Sequence, residues 1–168
     1  MRIEMIRTQL LLALAFALPA VAAGPGALMD QGDQQALHDY GLTPAKIEKL
    51  TKIGVKMGAY IKVHPEARHS DIMKGNTLDD SVKAIQAKPE IMTMLKSEGV
   101  SPRDFMLGTL SMMQAGMLVR MRAQYPDAKM PDNTNPKNLD LVAKHPDLTQ
   151  KWMAAWEIGK PRARPCRS

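Results

Sequence analysis

Methionine is the residue type whose number and spacing first suggest chemistry in this chain. The sequence contains 14 methionines, and Met113, Met117 and Met121 recur every four residues, with Met106 seven residues before the first of them. On a helix this spacing aligns three thioethers, which could hold Cu(I). Met106, Met113, Met117 and Met121 could instead line a groove for a hydrophobic ligand or a partner protein. The pattern favours a third interpretation, burial in a helical core, because methionine fills irregular gaps there.

Histidines are the other side chains that could bind a metal. The sequence contains His38, His64, His69 and His145, and His64 and His69 are five residues apart in a predicted loop, whereas a chelating pair on one helix needs a spacing of three or four. His64 and His145 each precede a proline at a predicted helix end, where a cation interacts favourably with the helix dipole. The spacing therefore favours helix capping over metal binding, and we predict no cofactor.

No set of residues with the spacing of a catalytic site is evident. The chain lacks a Gly-x-Ser-x-Gly elbow, and its one cysteine, Cys166, lies in a proline-rich tail that could not hold a base in register. Asp79 and Asp80 are adjacent, so they face different sides of a helix and are better explained as charges near a helix start. The sequence therefore favours a non-catalytic protein.

The amino terminus has the features of a cleavable signal peptide. Arg2 and Arg7 precede an apolar run from Leu10 to Leu18, and Pro19 and the small residues 20–23 follow it. The run is too short to span a bilayer, which needs about 20 apolar residues. We therefore expect residues 1–23 to be removed, leaving a periplasmic or secreted protein with no transmembrane segment in the mature chain. Since a single cysteine cannot form an internal disulfide, Cys166 could pair only with another chain.

Positive charge is concentrated at the carboxyl end. The net charge is +6, and four cations without a neighbouring acid lie in the last nine residues: Lys160, Arg162, Arg164 and Arg167. The prolines of residues 160–168 and their low apolar content predict a disordered tail. Aromatic residues amount to 4%, so the bases of a nucleic acid would have little to stack on, and we expect no nucleic-acid partner. A weak contact between the tail and an anionic membrane surface is the remaining electrostatic hypothesis.

The mature chain is divided by prolines that follow small polar residues, a pattern typical of helix starts. Thr43-Pro44 predicts a helix to about Val63, with apolar residues at spacings of three and four. Thr77 and Asp80 resemble a capping box for a short helix to about Lys88. Pro89 predicts a second short helix, which Gly99 would end as a left-handed cap.

The segment after Ser101-Pro102 is the most apolar of the mature chain. We predict a helix to about Tyr125 that lies at the centre of a bundle, with Gly108, Ser111 and Ala115 as a stripe of small residues. Asn135-Pro136 predicts a last helical region to about Trp156, divided or kinked at Pro146. The sequence therefore predicts an all-α, single-domain bundle of five or six helices over residues 24–159, with a central, strongly apolar, methionine-rich helix.

A succession of helix-start and helix-end residues marks the region from about Thr77 to Trp156. Its members are Pro89, Gly99-Val100-Ser101-Pro102-Arg103-Asp104-Phe105, Leu110, Gln114-Ala115 and Asn135-Pro136. This succession resembles a loose group of short exported helical proteins from Gram-negative bacteria, which have leucine at the position of Val100. The resemblance implies an exported, all-helical protein and, since no activity is assigned to the group, carries no function with it.

Two functional hypotheses follow from these patterns. The first is a non-catalytic periplasmic binding or interaction protein with a methionine-lined groove, for which the loop from His64 to Asn76 would act as a lid. Its partner would be a protein or a hydrophobic ligand of unknown identity. The alternative is a periplasmic Cu(I)-binding protein that uses the thioethers of Met113, Met117 and Met121.

Overall fold

Helices make up all the regular secondary structure in the described part of the chain. The computed structural model describes residues 30–64, 77–127, 129–131 and 133–156. These residues form seven α-helices and no strand, which confirms the all-α prediction. The helices are α1 (Gln31–Asp39), α2 (Pro44–Val63), α3 (Leu78–Gln86), α4 (Pro89–Ser97), α5 (Pro102–Gln124), α6 (Pro136–Lys144) and α7 (Pro146–Ala155). The described residues form one helix more than the upper number predicted, because α1 was not predicted; the division of α6 from α7 at Pro146 was one of the two predicted alternatives.

The helix starts follow the predicted cap residues. The side-chain oxygens of Thr43, Thr77 and Ser101 each accept a hydrogen bond from the backbone N–H three residues later, at 3.2, 3.1 and 3.0 Å. Asn135 caps α6 in the same way, and Gly99 follows α4 with a φ of 63°. Each cap satisfies a backbone donor that the helix itself leaves unpaired, which is worth about 1 kcal/mol.

The first half of α5 is enclosed on all sides. Residues 105–112 are all buried, and α5 contacts α1, α2, α3, α4 and α6. The close approach of α2 requires a small residue, because a Cβ added at Gly108 would lie 2.8 Å from Leu50 Cδ1. The predicted small-residue contact is therefore present at Gly108.

Helix α2 turns most of its predicted apolar stripe toward the core. Its buried apolar side chains are those of Ile47, Leu50, Ile53 and Met57. The expectation that the stripe continues to Val63 was wrong, because Val63, the last residue of α2, is exposed. At 3.6 residues per turn Val63 lies roughly 120° around the helix axis from Met57, so it falls outside the buried face.

Helix α7 packs closely against α2. Trp152 is buried, and the ring of Trp156 lies so near Gly54 that a Cβ there would be 2.8 Å from the indole Nε1. Trp156 also contacts Phe105 and Trp152, with ring centroids 5.8 and 6.3 Å apart. An aromatic cluster therefore joins α7 to α2 and α5.

Two asparagines connect the segment between α1 and α2 to α6. Buried Asn138 accepts a hydrogen bond from the Leu42 N–H and donates one to the Tyr40 carbonyl, both at 2.8 Å. The Asn135 amide donates to the His38 carbonyl at 2.7 Å. These bonds satisfy backbone groups that would otherwise be buried without partners.

Several predictions concern residues outside the described part of the chain. The signal peptide (1–23), nearly all of the proposed lid (65–76) and the basic tail with Lys160, Arg162, Arg164, Arg167 and Cys166 fall there. Within the described residues, none of the helices combines the length and the apolar character that crossing a bilayer requires.

Candidate binding face

Two methionines of α5 are exposed side by side in the half of the helix that the core does not enclose. Met113 is 40% exposed and Met117 is 55% exposed, whereas Ala115 and Leu118 on the opposite side are buried. The difference follows from helix geometry, since residues four apart share a face and residues two apart do not. The spacing that suggested chemistry therefore produces a solvent-facing pair of thioethers.

The surface between these methionines is open. A Cβ added at Gly116 would meet no atom within 4 Å. Arg120 lies on the same side, because residues 113, 116, 117 and 120 fall within roughly 100° around the axis of a helix with 3.6 residues per turn. We name Met113, Gly116, Met117 and Arg120 the methionine face.

Arg120 connects the methionine face to α7. Its Nη2 donates to the thioether sulfur of Met153 at 2.7 Å, although sulfur is only a weak acceptor. The guanidinium is exposed and retains donors for other partners. The methionine face is thus apolar at its centre and cationic at one end.

The predicted groove residues do not all lie on this face. Met113 and Met117 are exposed, Met121 is half-buried, and Met106 is enclosed in the core with 1% exposure. Met106 therefore cannot line a solvent-facing groove with the other three. This division could not be predicted from spacing, because an apolar residue at helical spacing fits a core and an open surface equally well.

The predicted copper ligands have an unfavourable neighbour. Met113, Met117 and Met121 lie along one side of α5, but the Arg120 guanidinium lies among them, and its charge opposes a bound cation. Among the described residues, no three or more His, Cys, Asp and Glu side chains are grouped so as to hold a metal ion. The same arrangement favours an anionic or apolar partner.

Residues predicted to act as helix caps occupy those positions. His64 follows α2 and His145 separates α6 from α7, each donating its backbone N–H to the carbonyl four residues earlier. Asp79 is exposed in the first turn of α3 and accepts a hydrogen bond from Arg103 at 2.7 Å. These groups lie at helix ends, and Asp79 is paired with Arg103 rather than with Asp80.

A polar depression beside α1 was not predicted from the sequence. It has a volume of about 410 Å³, opens to solvent and is lined by Gln31, Gln34, Gln35, His38 and Asn133. Next to it, hydrogen bonds from the Gln35 amide and from His38 hold the pKa of Asp39 below its usual value. The four-residue spacing of Gln35 and Asp39 could have indicated that their side chains meet on one side of a helix, but α1 itself was not predicted.

The pKa of Tyr40 lies well above that of an ordinary phenol. Burial, followed by the charge of Asp104, raises its pKa to about 12. Its hydroxyl donates to the Asp104 carbonyl at 3.3 Å, and the Lys46 ammonium lies 4.1 Å from the ring centroid. The phenol is therefore neutral at physiological pH and acts as a contact between α5 and the start of α2.

Compared with protein-family models, with curated proteins and with solved structures, the chain matches none. The resemblance to short exported helical proteins therefore stays a prediction. Any functional conclusion has to come from the methionine face and its surroundings.

Proposed function

We propose that this chain is an exported, non-catalytic binding protein of the periplasm that holds a partner protein on the methionine face of α5. The observation that supports this proposal is the pair of methionines, Met113 and Met117, 40% and 55% exposed, on a helix whose other long apolar side chains are mostly buried. Exposed methionine is flexible and polarizable, so it adapts to the shape of apolar partners. Covering such side chains releases water from apolar surface and favours association.

The charge at one end of the face favours a particular kind of partner. Arg120 is exposed on the same side of α5 as the two methionines. An amphipathic helix with apolar residues at spacings of three and four, and a carboxylate near one end, would cover the thioethers and pair with a guanidinium. We therefore propose a helical segment of another exported protein as the partner class.

In-cell photo-crosslinking tests this proposal first in a chain that keeps both methionines. A benzophenone amino acid is placed at Gly116, where open space accommodates it, and at Val55, which is 57% exposed on α2 and serves as the matched control. We expect a discrete protein adduct from position 116 only, lost when Met113→Glu is added because a carboxylate replaces apolar surface. Equal adducts at both positions, or none at 116, would contradict the proposal.

Export is tested in the same cells. Osmotic release of the periplasm should recover the chain, and its intact mass should correspond to cleavage after Ala22 or Ala23. Recovery of the uncleaved chain from the cytoplasm would contradict export. This result is independent of the crosslinking, because a binding face could exist in either compartment.

A Cu(I) site is the second candidate, supported by the four-residue spacing of exposed Met113 and Met117 with Met121 one turn further. Competition with a chromophoric Cu(I) chelator distinguishes the two functions. If the chain is a binding protein of the proposed kind, Met113→Leu and Met117→Leu should leave its affinity for copper unchanged. Thioether-dependent binding of one Cu(I) per chain would support the copper function instead.

A further inference from the structure

We infer that Met113 and Met117 are sites of reversible oxidation to the sulfoxide, and that oxidation of Met117 transfers Arg120 from the Met153 sulfur to the new oxygen. The selectivity rests on the exposure of individual thioethers, and the transfer rests on the contact between Arg120 and Met153. The effect on partner binding also rests on the proposed function.

Exposure separates these two sulfurs from the buried methionines. Met113 and Met117 are 40% and 55% exposed, whereas Met57, Met106 and Met112 are 2%, 1% and 0% exposed. Oxidation requires the oxidant to reach a sulfur lone pair, so the three buried thioethers are shielded. The protein therefore carries its own internal control for accessibility.

Met153 is protected for a different reason. It is half-buried, and its sulfur accepts a hydrogen bond from the Arg120 guanidinium at 2.7 Å. A lone pair engaged by a cationic donor is less available to an electrophile. The oxidation rate of Met153 therefore reports where Arg120 is.

The oxidant is a hypohalous acid or a peroxide, which carries an electrophilic oxygen. The sulfur lone pair attacks that oxygen, a sulfur–oxygen bond forms, and the bond from oxygen to its leaving group breaks. Sulfur loses two electrons, and the oxidant is reduced to halide and a proton, or to water. Methionine sulfoxide reductases reverse the change, using electrons from a thiol.

The sulfoxide changes the hydrogen bonding of the face. Its oxygen is a much better acceptor than a thioether sulfur, and a guanidinium donor strengthens the bond further. Met117 and Arg120 are three residues apart on α5, a spacing that brings side chains of a helix into contact. Oxidised Met117 therefore competes with Met153 for Arg120, and the apolar centre of the face becomes polar.

Peptide mass spectrometry after limited hypochlorous acid treatment of the full mature chain tests selectivity. We expect Met113 and Met117 to oxidise at least about tenfold faster than Met57, Met106 and Met112, because only the first two are accessible. Helical circular dichroism should stay unchanged at this stage. Similar rates for exposed and buried methionines would overturn the inference.

The kinetics of Met153 test the transfer of Arg120. In the wild type, oxidation of Met153 should be slow until Met117 is oxidised and should then accelerate, whereas Arg120→Ala should remove this delay. Met117→Leu should keep Met153 slow throughout, and Met113→Leu is the matched control that retains the delay. Absence of a delay in the wild type, or a delay unaffected by Met117→Leu, would overturn the transfer.

The crosslinker at Gly116 separates this inference from the binding proposal. Oxidation before irradiation should reduce the adduct, and reduction by methionine sulfoxide reductase should restore it. An unchanged adduct after complete oxidation of Met113 and Met117 would overturn the claim that oxidation weakens partner binding. Absence of any adduct before oxidation would contradict the proposed function, while the selectivity and the delay at Met153 would still be decided by mass spectrometry.

Discussion

Substitution of Gly54 by alanine tests the close contact between α2 and α7. A Cβ at this position would lie 2.8 Å from Trp156 Nε1, 2.9 Å from Cε2 and 3.1 Å from Cδ1. Since carbon atoms in favourable contact are separated by roughly 3.5–4.0 Å, the indole has to move away from α2 by several tenths of an ångström or more. The rigid ring cannot relieve three short contacts by a rotation of its far end.

The magnitude follows from three contributions. Adding a methyl group to a filled site costs about 1–3 kcal/mol. Displacing Trp156 also weakens its contacts with Phe105 and Trp152, each worth about 0.5–1.5 kcal/mol. Alanine recovers about 1 kcal/mol because it has a higher helix propensity than glycine. We therefore expect Gly54→Ala to lower the free energy of unfolding by about 2 kcal/mol.

Urea unfolding monitored by far-ultraviolet circular dichroism measures this difference, and tryptophan fluorescence follows the ring. Gly116→Ala is the matched control, because its added Cβ meets no atom within 4 Å, and it should stabilise the protein by up to about 1 kcal/mol. In a Trp156→Ala background, Gly54→Ala should also become stabilising. A wild-type-like or higher stability for Gly54→Ala alone would refute the proposed clash.

Three further predictions concern polar contacts. Asn138→Ala should lower the free energy of unfolding by about 2–4 kcal/mol in urea denaturation, because the Leu42 N–H and the Tyr40 carbonyl lose their buried partner. Asp33→Ala should cost about 1–3 kcal/mol in the same measurement, because the buried Leu78 N–H donates to that carboxylate at 2.8 Å. The folded-state pKa of Tyr40, about 12, exceeds the ordinary value of 10.0, so its contribution to stability is present below pH 10 and is lost as the pH rises through 12. Because Tyr40 is only partly buried, solvent screening should limit the loss to about 1–2 kcal/mol, and unfolding of Tyr40→Phe at each pH should lack it.

Helix starts were predictable because their determinants are local. A cap residue and a proline in the first turn lie next to each other, and Thr43, Ser101 and Asn135 each act as predicted. Helix α1 has neither an initial proline nor an apolar stripe, and its cap, Asp30, was the only local signal. Local patterns therefore predicted most helix boundaries and missed the helix that depends on contacts made elsewhere.

The candidate site was less predictable because exposure depends on distant residues. The spacing of Met113 and Met117 placed them on one side of α5, but only the positions of the other helices decide whether that side is covered. Arg120 and Met153 are 33 residues apart, and no local rule pairs a guanidinium with a thioether at that distance. The aligned methionines could therefore be predicted, and their open surface and cationic end could not.

The asparagine contacts between the two ends of the described chain also set an order of events during synthesis. Leu42 precedes Asn138 by 96 residues, so its N–H has only water as a partner until α6 has left the ribosome. At about 5–20 residues per second, that interval is on the order of 5–20 s. The segment between α1 and α2 should therefore be fixed against α6 only after the intervening helices have been synthesised.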